Sequence, residues 1–182
     1  MSAIAPQPLY RQLLAARFDS LPATVRALHE RSGAHRYHGK VEVERGSGFL
    51  SRLCAWSTRL PSAGKGAIRV EIDGAHHRER WARHFAGRAM RSRLWVRDGL
   101  LCERLGLVTF AFRLDVELLA IGPAIVWRVA RVRALGLPLP LRWFDGVTAR
   151  EYERDGRYRF DVAARLPWIG LLVHYRGWLD VA

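Results

Sequence analysis

Apolar residues recur along this chain with two different periods. Leu9, Leu13, Leu14, Phe18 and Leu21 fall at helical spacing with Arg11, Arg17 and Asp19 between them, and Val25 and Leu28 extend the pattern to His29. Residues 8–31 therefore predict an N-terminal helical segment, started near Pro8, interrupted at Pro22 and ended at Ser32-Gly33. From Arg36 the period becomes two. Tyr37, Gly39, Val41 and Val43 alternate with His38, Lys40, Glu42 and Glu44, which is the pattern of a strand with one wet face. After Gly46-Ser47-Gly48 the spacing of Phe49, Leu50, Leu53, Cys54, Trp56 and Leu60 predicts one inserted helix, stopped by Pro61.

Alternation then returns and persists. Ile68–Ile72, His77–Phe85, Met90–Val96, Leu100–Leu105, Val108–Val116, Ile125–Ala134, Val147–Arg154, Tyr158–Leu166 and Leu171–Leu179 all read as strands. Asp73-Gly74, Asp98-Gly99 and Asp155-Gly156 sit between such runs and predict tight hairpins. Only Leu135–Pro140 resists: two prolines at spacing two remove donors and predict an irregular turn. The expected fold is α+β, a large antiparallel sheet of about nine or ten strands in meander order, curved or closed, with helices at its N-terminal end. A START-like helix-grip is the alternative, although that fold ends in a long helix and this chain ends in a strand pattern.

The 182 residues are enough for one domain spanning 1–182, with the sheet over about 36–182. The charge changes the picture more than the length does. Thirty basic residues against 17 acidic give +13, and every basic residue but Lys40 and Lys65 is Arg. Such an excess implies an anionic partner, whether a phosphate or carboxylate ligand, a membrane surface or nucleic acid. Specific nucleic-acid binding is not expected, because Phe110, Phe112, Tyr158 and Phe160 alternate away from the charges and form no basic stacking platform. Cys54 and Cys102 are far apart in apolar company, which fits free thiols. The opening residues lack a leader pattern, and the apolar run Leu118–Trp127 contains Gly122 and Pro123. That run falls well short of the roughly 20 residues that span a bilayer. A cytoplasmic protein without a transmembrane segment is expected, with peripheral membrane contact open to it.

Several blocks carry a resemblance. "RALGLPLP" at Arg133–Pro140, "ERDGRYRFDV" at Glu153–Val162 and "LPWIGLLVHYRGWL" at Leu166–Leu179 resemble the bacterial family called domain of unknown function 4166. The opening "PLYRQLLAARFDSLPATVRALHE", with "RAMRSRL" and "CERLG", looks like the remainder of it. The resemblance implies a domain found alone or behind an NADP-binding Rossmann domain of the short-chain or saccharopine-dehydrogenase-like type. No such domain is attached here, so a reductase partner would be a separate polypeptide. The resemblance supplies no reaction and no catalytic residues.

Individual constellations narrow the chemistry. The strand, Gly46-Ser47-Gly48, helix order mimics a dinucleotide site but has Ser51 where a third glycine is needed. The histidines have no metal-ligand spacing, so no metal and no cofactor are expected. Glu151 and Glu153 share a strand face, as do Glu42 and Glu44, and such pairs suit either acid–base chemistry or cross-strand ion pairing. The leading expectation is a non-enzymatic binding module for a small, largely apolar, anionic, lipid-like ligand held in a cavity of the sheet. A buried anion needs a charged donor, and Arg binds both of its oxygens at once. The expected ligand residues are Arg131 and Arg133 before the irregular turn, His174 and Arg176 on the last strand, and the hydroxyls of Tyr152 and Tyr158. The alternatives are an accessory partner of an NADP-dependent reductase, and a hydrolase or isomerase using Glu151 or Glu153.

Overall fold

The computed structural model describes residues 7–48, 60–75, 77–85 and 88–181. Each alternating segment forms a strand: β1 (Gly33–Arg45), β2 (Gly64–Ala75), β3 (Arg78–Phe85), β4 (Arg88–Arg97), β5 (Leu100–Leu105), β6 (Val108–Leu119), β7 (Gly122–Ala134), a two-residue β8 (Leu137–Pro138), β9 (Gly146–Arg154), β10 (Arg157–Leu166) and β11 (Gly170–Asp180). Every pairing is antiparallel. The long strands follow chain order around the sheet, and β1 pairs with β11 to close it. The result is a closed barrel of ten strands, with β8 a short tab on β7. Closure on itself leaves no long edge for another chain to extend. Because β1 pairs with β11 and β6 with β7, the sheet is closed rather than open and wrapped on a helix, so the helix-grip alternative is set aside.

Period two decides which side chains enter the barrel. Tyr37, Val41 and Val43 of β1, Ile68, Val70 and Ile72 of β2, and Tyr158 and Phe160 of β10 are all buried in one core. A smaller cluster of Leu100, Cys102 and Ala111 packs on the outer face, where burial pushes the Cys102 thiol up. One end of the barrel is covered by helices α1 (Leu9–Leu14) and α2 (Ala23–Glu30), which bury Leu9, Tyr10, Leu14, Val25, Leu28 and His29. The first turn of α2 has no side-chain cap from its own segment. Glu153 of β9 supplies one: its Oε2 accepts from the Thr24 amide at 3.2 Å and hydroxyl at 2.8 Å. A carboxylate is favoured at that helix end by the unpaired amides.

Local differences from the sequence reading have local reasons. The first helix is broken at Ala15, which adopts φ 49°, and continues as a 3-10 helix over Ala15–Ser20. Asp98-Gly99 and Asp155-Gly156 turn with positive φ at both residues, as tight hairpins require. Asp73-Gly74 does not turn. Both residues are held in β2 between β1 and β3, with Asp73 opposite Ala34 and Arg80, and the chain reverses between Ala75 and Arg78. Pairing on two sides outweighs the local preference there. Within Leu135–Pro140, expected to be wholly irregular, Leu135-Gly136 forms a hairpin turn and Leu137–Pro138 pairs with Ala134 and Arg133. Proline is tolerated because β8 is a short edge. The inserted helix, Cys54 and the Ser51 position lie outside the described residues.

Two glycines set the closing seam. A Cβ on Gly39 would stand 1.8 Å from the Trp178 carbonyl oxygen, and one on Gly177 would stand 2.1 Å from that of Lys40. The β1 and β11 backbones thus approach more closely than any side chain permits.

Candidate functional site

The barrel is not filled. A cavity of about 150 Å³ lies in its interior, walled by apolar residues such as Ile68, Met90, Phe112 and Val162. Polar groups enter this wall singly, each between apolar neighbours on the adjoining strands. Arg83 stands between Val70 and Met90, Glu103 between Leu94 and Phe110, and Glu151 between Ile125 and Phe160.

They pair across the interior. Arg83 Nη1 donates to Glu103 Oε1 at 3.2 Å and to Ser92 Oγ at 3.1 Å, and the guanidinium stacks 4.7 Å from the Trp81 ring centre. Burial pulls the Arg83 guanidinium down, but the charge of Glu103 and its hydrogen bond outweigh this and leave its pKa above the ordinary value. Burial pushes the Tyr175 hydroxyl up to about 12, with Arg83 opposing.

Toward the helices a second cluster forms. His29 Nε2 lies 2.5 Å from Glu151 Oε2, with both side chains buried. Tyr10 stacks on the His29 ring at 3.5 Å and meets the Trp127 ring edge-on at 6.0 Å. Burial, with the charge of Glu151 beside it, holds the Tyr158 hydroxyl pKa well above the usual value. Burial also raises Tyr10. Three polar atoms here, Tyr10 Oη, His29 Nδ1 and Trp127 Nε1, are buried without a hydrogen-bond partner among the described residues. Buried polar groups are normally satisfied, so a cluster of unsatisfied ones marks where water or a ligand binds.

Glu79 belongs to the same region. It accepts from Trp81 Nε1–H at 2.8 Å. Burial raises its pKa, against the Trp81 hydrogen bond and the nearby His29, and Glu151 adds to the rise. The folded protein therefore keeps this proton in a pH range where the unfolded chain has lost it. Stability falls as pH rises from about 4.5 through the raised value, then levels off. Glu79→Gln keeps an oxygen acceptor and removes the titration. Urea unfolding followed from pH 4.5 to neutrality is expected to show a smaller loss of stability in the variant than in the wild type.

The residues expected to hold a ligand are not brought together at one site. Tyr158 is inside the barrel, on Glu151. Arg131, Arg133, His174 and Arg176 are on the outer face. Arg131 pairs with Asp98 at 3.4 Å, His174 Nε2 lies 2.8 Å from Asp161, and Arg176 lies 3.3 Å from Glu42 and 3.4 Å from Glu44. Arg133 is exposed opposite Thr109 and Pro138. Tyr152 shares an outer groove with Arg176 and Trp178. Of the two carboxylates on one face of β9, Glu151 faces the cavity and Glu153 caps α2.

Sequence alone does not single out His29, Arg83 or Glu103. In β3 the inward set Glu79, Trp81, Arg83, Phe85 carries two charges and the outward set Arg78, Arg80, Ala82, His84 three polar residues, so alternation barely distinguishes the faces. His29 looked like the polar end of a short helix. Only the placement of α2 over the barrel brings it to Glu151, 122 residues away.

No curated protein matches the chain. Residues 21–179 match the model of a family described as a domain of unknown function, DUF4166. That span holds α2 with His29, every strand up to the penultimate residue of β11, and all the cavity-facing polar residues above. The chain belongs to the DUF4166 family.

Proposed function

We propose that the barrel is a binding module for a small, largely apolar molecule whose polar end sits among Trp127, Glu151 and Tyr158. One observation carries this: an apolar cavity of about 150 Å³ is lined by Trp127, whose buried Nε1–H has no acceptor among the described residues. A cavity of roughly this size accepts a single ring or a short chain. Charge argues for an uncharged polar end rather than the anionic one expected from composition. Arg83 already has Glu103, and Glu79 and Glu151 add two further buried carboxylates. A ligand anion would have to displace Glu103 or stand unpaired beside these groups, and both are strongly unfavourable. A hydroxyl or carbonyl instead accepts from Trp127.

Native mass spectrometry of gently purified protein tests whether a small molecule is retained. Thermal unfolding with benzyl alcohol and with benzoate tests the polar end. A neutral ligand at a hundred times its Kd adds about 2.7 kcal/mol, a rise of roughly 5–11 °C for a chain of this size. Trp127→Phe is expected to reduce it. A larger rise with benzoate would restore the anionic reading, and no rise with either, together with an empty native spectrum, would overturn the binding reading.

The contact of His29 with a cavity-facing Glu151 favours a second reading, a proton-transferring isomerase. Glu151 would take a proton from a carbon next to a carbonyl and return it one position away, with His29 orienting the carboxylate. Solvent deuterium entering cyclohexanone in the presence of wild type, and failing to enter with Glu151→Gln, distinguishes this from a binder, which exchanges nothing.

A further inference from the structure

The barrel end away from the helices carries large apolar side chains in solvent. Trp168 is 86% exposed, Leu135 74%, Leu137 69%, Leu107 52% and Leu141 46%. They occupy neighbouring turns. Leu107 lies in the β5–β6 turn, Leu135 and Leu137 flank the β7–β8 turn, Leu141 begins the 3-10 turn after it, and Trp168 is in the β10–β11 turn. The Leu135 amide donates to the Leu107 carbonyl at 3.0 Å, and Trp143 meets the Trp168 ring edge-on at 6.4 Å. Arginines surround them. Segments 104–110, 131–145 and 163–173 hold five arginines and one acid, Asp145.

We propose that this end of the barrel docks on an anionic lipid bilayer, with Leu135, Leu137 and Trp168 entering the headgroup layer and Arg133, Arg142 and Arg165 against lipid phosphates. Trp favours the headgroup level, where its ring is apolar and its N–H is wet. Apolar insertion and attraction to anionic headgroups act together in peripheral binding. The charge disfavours the obvious competitor. A second copy seated on this tip would face the same excess of arginines over the one acid, even with Arg131 already on Asp98, and like charges across an interface repel. The proposal stands independently of what the cavity holds. It has one bearing on it: Leu105, Phe110, Val147 and Leu172, at this same end, line the cavity.

The test is co-sedimentation of the full chain with vesicles of phosphatidylcholine alone, or of equal parts phosphatidylcholine and phosphatidylglycerol. Binding is expected to the anionic vesicles, to weaken with added salt, and to be marginal on neutral ones. The triple variant Leu135→Ser/Leu137→Ser/Trp168→Ser should bind at least roughly tenfold more weakly. Arg133→Gln and Arg165→Gln should each weaken binding by roughly fivefold. Leu118→Ser, 83% exposed near the end of β6 at the opposite end of the barrel, should bind as wild type does. All the changes are at exposed positions, and unchanged thermal unfolding confirms the fold of each. The proposal is overturned by absence of wild-type binding to anionic vesicles, or by full binding of the triple variant. It is equally overturned if sedimentation of wild type without lipid shows a dimer that the triple variant abolishes.

Discussion

Replacing Arg83 by Met is expected to destabilise the barrel by about 3–5 kcal/mol, because it leaves the buried Glu103 carboxylate without its counter-charge. The effect comes from the orphaned partner rather than from the lost contact. Met nearly fills the volume of the Arg stem between Val70 and Met90, so little packing is lost. Glu103 is 6% exposed and sits between Leu94 and Phe110, where nothing replaces the guanidinium. The double variant Arg83→Met/Glu103→Leu removes both charges and should recover most of the loss, since apolar replacement of a whole buried pair is often neutral or stabilising. Urea unfolding of both variants gives the answer. Equal midpoints for single and double variants would place the loss in packing or in the Ser92 hydrogen bond instead.

An effect of similar size is expected at the seam. Gly177→Ala sets a methyl 2.1 Å from the Lys40 carbonyl oxygen and 2.8 Å from Phe160 Cζ, and Gly39→Ala sets one 1.8 Å from the Trp178 carbonyl oxygen. Phe160 can shift, but the two carbonyls belong to the strands that close the barrel. Each substitution should therefore cost about 3 kcal/mol or more, a fall in Tm of at least roughly 6 °C. Gly66→Ala is the control: its Cβ has nothing within 4 Å, so its stability should match wild type or exceed it by up to about 1 kcal/mol. If Gly39→Ala and Gly177→Ala behaved like Gly66→Ala, β1 and β11 would not be paired as described.

Period two was enough to read the sheet, because nearly every strand has one apolar face and the barrel has one inside. Tyr37, Val41 and Val43 point inward as their alternation requires. The turns were readable only where the local signal was not opposed. Asp98-Gly99 and Asp155-Gly156 stand free at strand ends, whereas Asp73-Gly74 is held between two strands. The cavity was far less legible. Its polar groups come from β3, β5, β7, β9, β10 and β11, with His29 of α2 behind Glu151, and their convergence depends on how the barrel closes. The arginines singled out from sequence were chosen for closeness to the β7–β8 turn and to the last strand. On those strands the apolar face had already claimed the interior, which leaves Arg131, Arg133 and Arg176 outside. Arg83 is the exception because its strand carries charge on both faces.

The pairing of β1 with β11 also bears on how the chain is made. Glu42 and Arg176 meet across that seam although 134 residues separate them. At about 5–20 residues per second, a ribosome needs on the order of 10 s to deliver the partner after β1 has emerged. The intervening hairpins can form one by one in that time, each on the strand before it. The outer edge of β1, with its row of unpaired amides and carbonyls, must wait. Until β11 arrives the nascent sheet is an open ribbon with a thirteen-residue edge, the kind of surface that invites pairing with another chain. Lys40, Glu42 and Glu44, which alternate along that edge, place charge where such pairing would begin. Folding of this barrel is thus gated by its last strand, and substitutions in β11 should act on yield in the cell before they act on anything the finished barrel does.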